Sequence, residues 1–461
     1  TRLPAVPPTS PYEISGLALL ATFVGALPAM AEPAANEYLP VAFRAFGTLG
    51  IAHTQGDGAG FIRDMSQPKG ADNRGLDWQL DTRLGVQANL KVSDDFEAAA
   101  QIVSRYRNDN NFQPEPTWAY LKYSLNDTAD IRVGRVGFDA FLSADSRDVG
   151  YSFLRVRPPV DYYGNLFFNY SDGGDITFRM PTGPGRSRLK LFAGIARERS
   201  SSLVEQRVWA GNITRAPIGT IQDLDGSRGS GAFIDYQDKH WIARLGIARL
   251  KVTQDFPLGN LNVLGLLRTS ASQAYSQSNT ALGQALTSFA NDMQPANKRI
   301  NFGSIDLAYE DGPLHLQMAV NRITSDTLLI ADSHAGFFSA GYRIGSTTPY
   351  AVVSGIKPRR SKRADELSGI APTNVVSLAN FLVSAPLTDQ RTYSFGIRHE
   401  LARNISLKVQ ADMIRNRNCS PVSLPVIGPS PSCAPPRLWA TVPVNWNGRA
   451  NVISAVVDFI F

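Results

Sequence analysis

From residue 78 to residue 90 apolar and polar side chains alternate. Trp78, Leu80, Thr82, Leu84, Val86, Ala88 and Leu90 take one parity, and Gln79, Asp81, Arg83, Gly85, Gln87 and Asn89 take the other. A repeat of two gives each set its own face of an extended strand, whereas a helix would mix the sets within a turn. The pattern therefore predicts a strand here, a turn over 91–95, and a returning strand over 96–106. In that return Phe96, Ala98, Ala100 and Ile102 oppose Glu97, Gln101 and Arg105. The same unit recurs over residues 43–53, 117–124, 131–137, 168–180, 188–197, 229–236, 240–250, 300–310, 314–324, 334–343, 349–356, 391–399, 405–414 and 449–461. The total is about sixteen strands.

The connections carry a second pattern. Those at 126–130, 237–239, 311–313, 345–348 and 400–404 are tight, and those between them are mostly long. Short ends and long ends thus segregate. A sandwich has no reason to gather its tight turns at one end, but an antiparallel up-and-down β-barrel threaded through a membrane does. Residues 270–291, rich in Ala, Ser and Gln, read as a loop with a short helix.

The polar residues decide which face points inward. A barrel of about sixteen strands is too wide for side chains to close, so the polar row lines water. Turning Arg83 to lipid near the midplane would cost ~2 to 4 kcal/mol, and Arg105, Arg132 and Arg179 would each repeat that cost. Lipid then faces the Leu, Val, Ala and Phe rows. Trp78, Tyr106, Tyr123, Tyr309, Tyr342 and Tyr393 lie on those rows, where aromatic girdles belong, although ordinary strand packing explains any one of them equally well.

Composition narrows the class without naming it. The chain has 461 residues, 43% hydrophobic and 19% charged, with a mean hydropathy of -0.15. Those values exclude both a helical membrane protein and a disordered chain. A net charge of +6 is modest at this length, and the densest basic run, KPRRSKR at 357–363, sits among Pro and Ser as a solvated loop. No nucleic-acid partner is expected. Residues 14–31 (ISGLALLATFVGALPAMA) end in Ala29-Met30-Ala31, the small-x-small pattern of a cleaved export signal. The expected organisation is a signal peptide over 1–31 and a barrel over 32–461. A membrane-anchor helix is the competing reading of 14–31, and its short length and Pro28 weigh against it. Export fits a Cys419–Cys433 disulfide, which would stabilise its loop by ~3 kcal/mol. Two free thiols are the alternative.

The final stretch, NVISAVVDFIF over 451–461, puts Ile453, Ala455, Val457, Phe459 and Phe461 on one face. Together with Val133-Gly134-Arg135 leading into a long third loop, this chain resembles the Gram-negative outer-membrane porins. The segment 143–164, with Asp148-Val149-Gly150-Tyr151 and Arg157-Pro158-Pro159-Val160, is similar to the third loop of a proteobacterial porin-like family. The resemblance implies an outer-membrane location among its lipids, a third loop folded into the lumen and a homotrimer. It also implies a closing strand whose terminal aromatic, with Phe459 and Phe461, is read by the barrel-assembly machinery. Pro158-Pro159, Arg155 and Arg157 depart from the acidic loop of the best-known general porins.

Candidate chemistry follows from charge. Loop carboxylates Asp139, Asp145, Asp148 and Asp161 opposite wall residues Arg83, Arg105, Arg132 and Arg179 would set a transverse field across a narrow waist, with Arg147, Arg155 and Arg157 adding positive charge on the loop. Such a waist passes small hydrophilic solutes and ions and weakly prefers anions. No cofactor, metal site or enzymatic activity is expected. His53, His240, His315, His334 and His399 lie on separate strands or loops, and no G-x-S-x-G, H-E-x-x-H or phosphate-binding loop occurs. Two alternatives stay open. A barrel lipid hydrolase would use a strand-end histidine, His240 or His399, and an adhesin-type barrel would have a plugged lumen.

Overall fold

The computed structural model describes residues 41–461 apart from 108–110, 139–140, 165–168, 198, 203–219, 256–262, 385–386, 418–422, 425–427, 430–438 and 442–445. The candidate signal peptide, Cys419, Cys433 and Asp139 therefore lie outside the described residues.

One closed antiparallel sheet dominates the chain. Its first eight strands are β1 Val41–Gln55, β2 Arg83–Lys91, β3 Phe96–Arg105, β4 Glu115–Asn126, β5 Ala129–Gly137, β6 Tyr170–Thr182, β7 Gly185–Ala196 and β8 Arg228–Gln237. The rest are β9 Trp241–Lys251, β10 Arg299–Asp311, β11 Leu314–Ser325, β12 Asp332–Tyr342, β13 Thr347–Arg359, β14 Gln390–Ala402, β15 Ile405–Asn416 and β16 Arg449–Ile460. Each strand pairs with its neighbours in chain order, and β16 returns to β1. At that seam Phe461 and Ala45 exchange backbone hydrogen bonds of 2.7 and 2.9 Å. Closure leaves no open sheet edge in the barrel. Turns of two to four residues follow every even-numbered strand before β16, and all connections after odd-numbered strands are longer.

Alternation along the strands sorts side chains as a membrane requires. Val86, Ile305 and Phe395 stay 53%, 58% and 53% exposed on the outer face, while Gln101, Asp306, Lys408 and Asp412 are buried on the inner one. A water-soluble barrel would invert that arrangement.

Three local expectations need correction. The strand predicted from residue 78 begins at Arg83, because Asp77 Oδ1 accepts hydrogen bonds from the backbone N–H groups of Gln79 and Leu80 at 2.8 and 2.9 Å. That local bonding competes with the ladder and holds a turn, so Leu80 turns inward and is 3% exposed. Tyr106 belongs to no outer girdle. It is buried close to Phe112. The stretch read as a loop with one short helix forms two, α2 Val263–Ser276 and α3 Thr280–Met293, following the short α1 at Val160–Tyr163. A further helix, α4 Thr373–Ser384, joins them. Leu267, Leu286, Phe289, Met293 and Val383 pack these helices into a core of their own at the long-loop end.

Candidate functional site

The segment between β5 and β6 does not stay above its own strands. Asp161 accepts hydrogen bonds from Ser354 on β13 and Gln390 on β14, at 2.5 and 2.7 Å. In the closed ring β13 lies halfway round from β5 in either direction, so the segment crosses the barrel. Before that point Arg155 donates to Gln317 on β11 at 2.8 Å, and the Val156 N–H donates to Gln410 on β15 at 3.2 Å. Beyond it the Tyr162 hydroxyl donates to Asp306 on β10 at 3.0 Å.

Two contacts fix how close the segment comes. At Gly150 a Cβ would stand 2.0 Å from Asp458 Oδ1 and 2.3 Å from Thr48 Oγ1, so a larger residue would have to push both side chains aside. Lys408 Nζ donates to the Gly150 carbonyl at 2.8 Å while pairing with Asp458 at 2.8 Å. Arg157 holds the second contact. Its guanidinium donates to Asp81 at 2.5 and 3.0 Å, to Asp412 at 2.9 Å and to Ser454 at 2.5 Å, joining the segment to the β1–β2 connection, β15 and β16. Burial alone would lower its proton affinity, but Asp81 and Asp412 outweigh this and raise it.

The predicted residues divide into groups. Arg105 and Asp148 meet at 3.0 Å. Burial pushes the Asp148 carboxyl up, yet Arg105, Arg147 and Arg63 together hold it below its ordinary value. Arg63, which sequence reasoning missed, donates to the Arg147 carbonyl at 3.0 Å. Arg83 stands in register with both Arg105 and Thr48, is 1% exposed, and bonds none of its three guanidinium nitrogens to a described residue. Arg132 pairs instead with Asp175 at 2.6 Å on the neighbouring strand, and Asp145 is exposed.

The remaining four do not form the expected field. Arg179 pairs with Asp130 beside the tight turn between β4 and β5, at the opposite end of the barrel from the loops. Arg155, Arg157 and Asp161 are turned against the walls from β11 to β16 and are almost wholly buried. The reason is desolvation: a charge trapped between loop and wall must find a partner, and the polar rows of those strands offer one. For Asp161 the partners are neutral, and burial raises its pKa despite hydrogen bonds from Ser354, Thr392 and Gln390.

Sequence reasoning also missed a set of ion pairs on the wall from β3 to β9. Lys122 on β4 reaches Glu97 at 3.2 Å, and Asp235 on β8 takes both Arg188 at 2.6 Å and Arg244 at 2.8 Å. Each is a polar position in an alternating strand, so the signal was present. For Arg188 and Asp235, loose strand limits around residues 163–236 hid the register.

No family model matches this sequence, and no curated protein does either. Solved structures do resemble it in fold. The outer-membrane expressed OmpT of Vibrio cholerae is similar at TM-score 0.50 and 11% identity, covering 93% of this chain and 100% of that one. An anion-selective porin from Comamonas acidovorans gives 0.47 and 11%, covering 92% and 100%, and Salmonella typhi OmpF in complex with daunomycin gives 0.48 and 8%, covering 91% and 97%. The likeness to the first of these is one of fold, a closed antiparallel barrel of sixteen strands.

Proposed function

We propose that this protein is an outer-membrane porin, a water-filled channel for passive diffusion of small hydrophilic solutes and ions with a weak preference for anions. The observation that carries the reading is the asymmetry of the lumen. The segment after β5 is anchored to β1, β3 and β9–β16, and the facing wall keeps half-buried charged side chains, Lys122, Arg132 and Arg188 among them. Charges left partly solvated inside a lipid-facing barrel fit a hydrated path. Arg83, whose guanidinium bonds no described residue, supports the anion preference, and the many ion pairs support its weakness. Export through residues 1–31, a Cys419–Cys433 bridge and a homotrimer belong to the same proposal.

A second reading has an observation of its own. Phe61, Phe141, Tyr162, Phe337, Tyr350 and Trp439 belong to one buried apolar cluster that includes lumen-facing strand residues. A plugged barrel would look like this at its long-loop end. Planar-bilayer conductance under a salt gradient decides between the two. A porin gives discrete steps and a small zero-current potential of anionic sign that fades at high salt. A silent barrel, correctly inserted, would overturn the channel reading.

A further inference from the structure

The segment between β5 and β6 also reaches the tight-turn end of the barrel. The Tyr151 hydroxyl donates to the Arg403 carbonyl at 2.7 Å and meets the Glu400 carboxylate at 3.1 Å, and Arg403 lies in the tight turn between β14 and β15. Asp161 of the same segment meets Gln390, the first residue of β14. The segment thus follows that strand from one end to the other. Lys408 Nζ donates to the carbonyls of Gly150 and Arg155 at 2.8 and 3.2 Å, so one ammonium closes the base of a small loop. Tyr151, Ser152, Phe153 and Leu154 form its tip.

Arg398 on β14 clamps this tip. Its Nη1 donates to the carbonyls of Tyr151 and Phe153 at 2.8 and 2.7 Å, its Nε donates to Glu400 at 2.6 Å, and its guanidinium lies 4.6 Å from the centre of the Tyr151 ring. A planar, rigid guanidinium that bonds two carbonyls one residue apart fixes the direction of the chain between them. Leu154 holds the other side: a Cβ at Gly341, next to the last residue of β12, would stand 2.5 Å from its Cδ2. Phe153 is buried and Ser152 is exposed. These contacts lie apart from the anchor that Arg157 makes with Asp81, Asp412 and Ser454. A loop that had only to be held at Arg157 would gain nothing from them, and ordering the tip costs conformational entropy.

We propose that residues 150–155 form a second size limit, at the tight-turn mouth of the channel, with Tyr151 as its latch and Arg398 as its positioning residue. The proposal rests on the channel reading for the passage of solutes. A sixteen-strand barrel is too wide for its wall side chains to close, and a tip clamped between β12 and the β14–β15 turn takes up part of the opening at that end. The two ends of the path then differ. A solute arriving from the tight-turn side meets the tip first, and one arriving through the long loops meets it last. Bulk is what the tip sorts, because Arg398 is already paired with Glu400 and the exposed residue, Ser152, is neutral.

The test uses the full barrel in planar bilayers, with neutral polyethylene glycols of graded size added to one face and then to the other. In wild type the largest polymer that still lowers the conductance should be smaller at one face. The double variant Tyr151→Phe, Arg398→Gln should raise that lower limit to the upper one and leave the upper one in place. General loosening of the barrel would move both. Arg360→Gln, at the long-loop end, should move neither. A second variant, Ser152→Cys with Cys419→Ser and Cys433→Ser, places a thiol on the tip without touching the clamp. A maleimide-tipped polymer should block it only from the face with the lower limit. The same reagent should label it, read as a mass shift, in open membrane fragments and not in intact cells carrying the barrel. Equal limits in wild type, an unmoved lower limit in the double variant or labelling in intact cells would overturn the proposal. A silent wild type would overturn the channel reading and the size limit with it, an outcome told apart by the mass shift, which needs no conduction.

Discussion

The arginines inside the barrel and those on its outer rim differ in their partners. Arg157, Arg105 and Arg132 each meet a carboxylate within 3.0 Å, whereas Arg391, Arg415 and Arg449 stand across the sheet from one another with no ion-pair partner among the described residues. Location accounts for the difference. A cation enclosed between loop and wall loses its hydration, and without a counter-charge that costs several kcal/mol. On the rim, water and ions screen neighbouring charges to ~1 kcal/mol or less. Inside, charge holds the structure together. At these three rim positions it is left unpaired among the described residues. Arg83 is the exception, buried yet unbonded to any described residue.

The sharpest way to break this contrast is to remove one cation from each place. Arg157→Ala leaves Asp81 and Asp412 buried without their shared counter-ion, a loss of ~3 to 5 kcal/mol. The barrel should unfold at a clearly lower temperature in a heat-modifiability gel. Arg415→Ala, on the rim, should leave that temperature unchanged in neutral detergent. Asp161→Asn sharpens the point, because its partners are neutral and its pKa is raised by burial. Removing that charge should be tolerated or mildly stabilising. Equal losses from Arg157→Ala and Arg415→Ala would refute the distinction.

A smaller effect concerns acid. The folded pKa of Asp148 lies below its ordinary 3.8, because Arg105, Arg147 and Arg63 outweigh burial. The sign follows from linkage: a depressed carboxylate pKa gives stability that is complete above the ordinary value and is lost as pH falls through the folded one. Wild type should therefore exceed Asp148→Asn in unfolding temperature by a constant margin at neutral pH. That margin should close only below 3.8. A margin that closed near neutrality would mean that the carboxylate is not held by these arginines.

Much of the barrel was legible because alternation is local. Strand β15 shows it: Lys408, Gln410 and Asp412 point inward and Val409, Ala411 and Met413 outward, as any reader of that stretch would sort them. What a strand meets across the lumen is not local. Nothing in Arg157-Pro158-Pro159 announces that its guanidinium will reach Asp412, 255 residues away in the chain, and so loop arginines were read as facing the pore. The helices α2 and α3 were half seen, since their Ala and Ser content supports helix and loop alike. The rim cations were visible in sequence one at a time. Their cross-strand rows emerge only once register is known.

The smallest expected effect is on selectivity, and it turns on Arg83. Its cross-strand neighbour Arg105 is already paired with Asp148 at 3.0 Å, whereas Arg83 is buried with no hydrogen-bond partner among the described residues. Fixed charges in a hydrated pore act on passing ions through screened energies of ~1 kcal/mol or less. Replacing Arg83 and Arg105 by Glu should move the zero-current potential toward cations, by an amount that shrinks at high salt. Arg83→Gln alone should move it in the same direction and by less, while leaving the Arg105–Asp148 pair intact. The same Glu changes at Arg359 and Arg360 should move it least, because these side chains sit at the outer end of β13, where Arg360 already pairs with Asp365 at 3.0 Å. A larger shift from the outer pair than from Arg83 would show that the long-loop mouth, and not the segment anchored across the lumen, sets the preference.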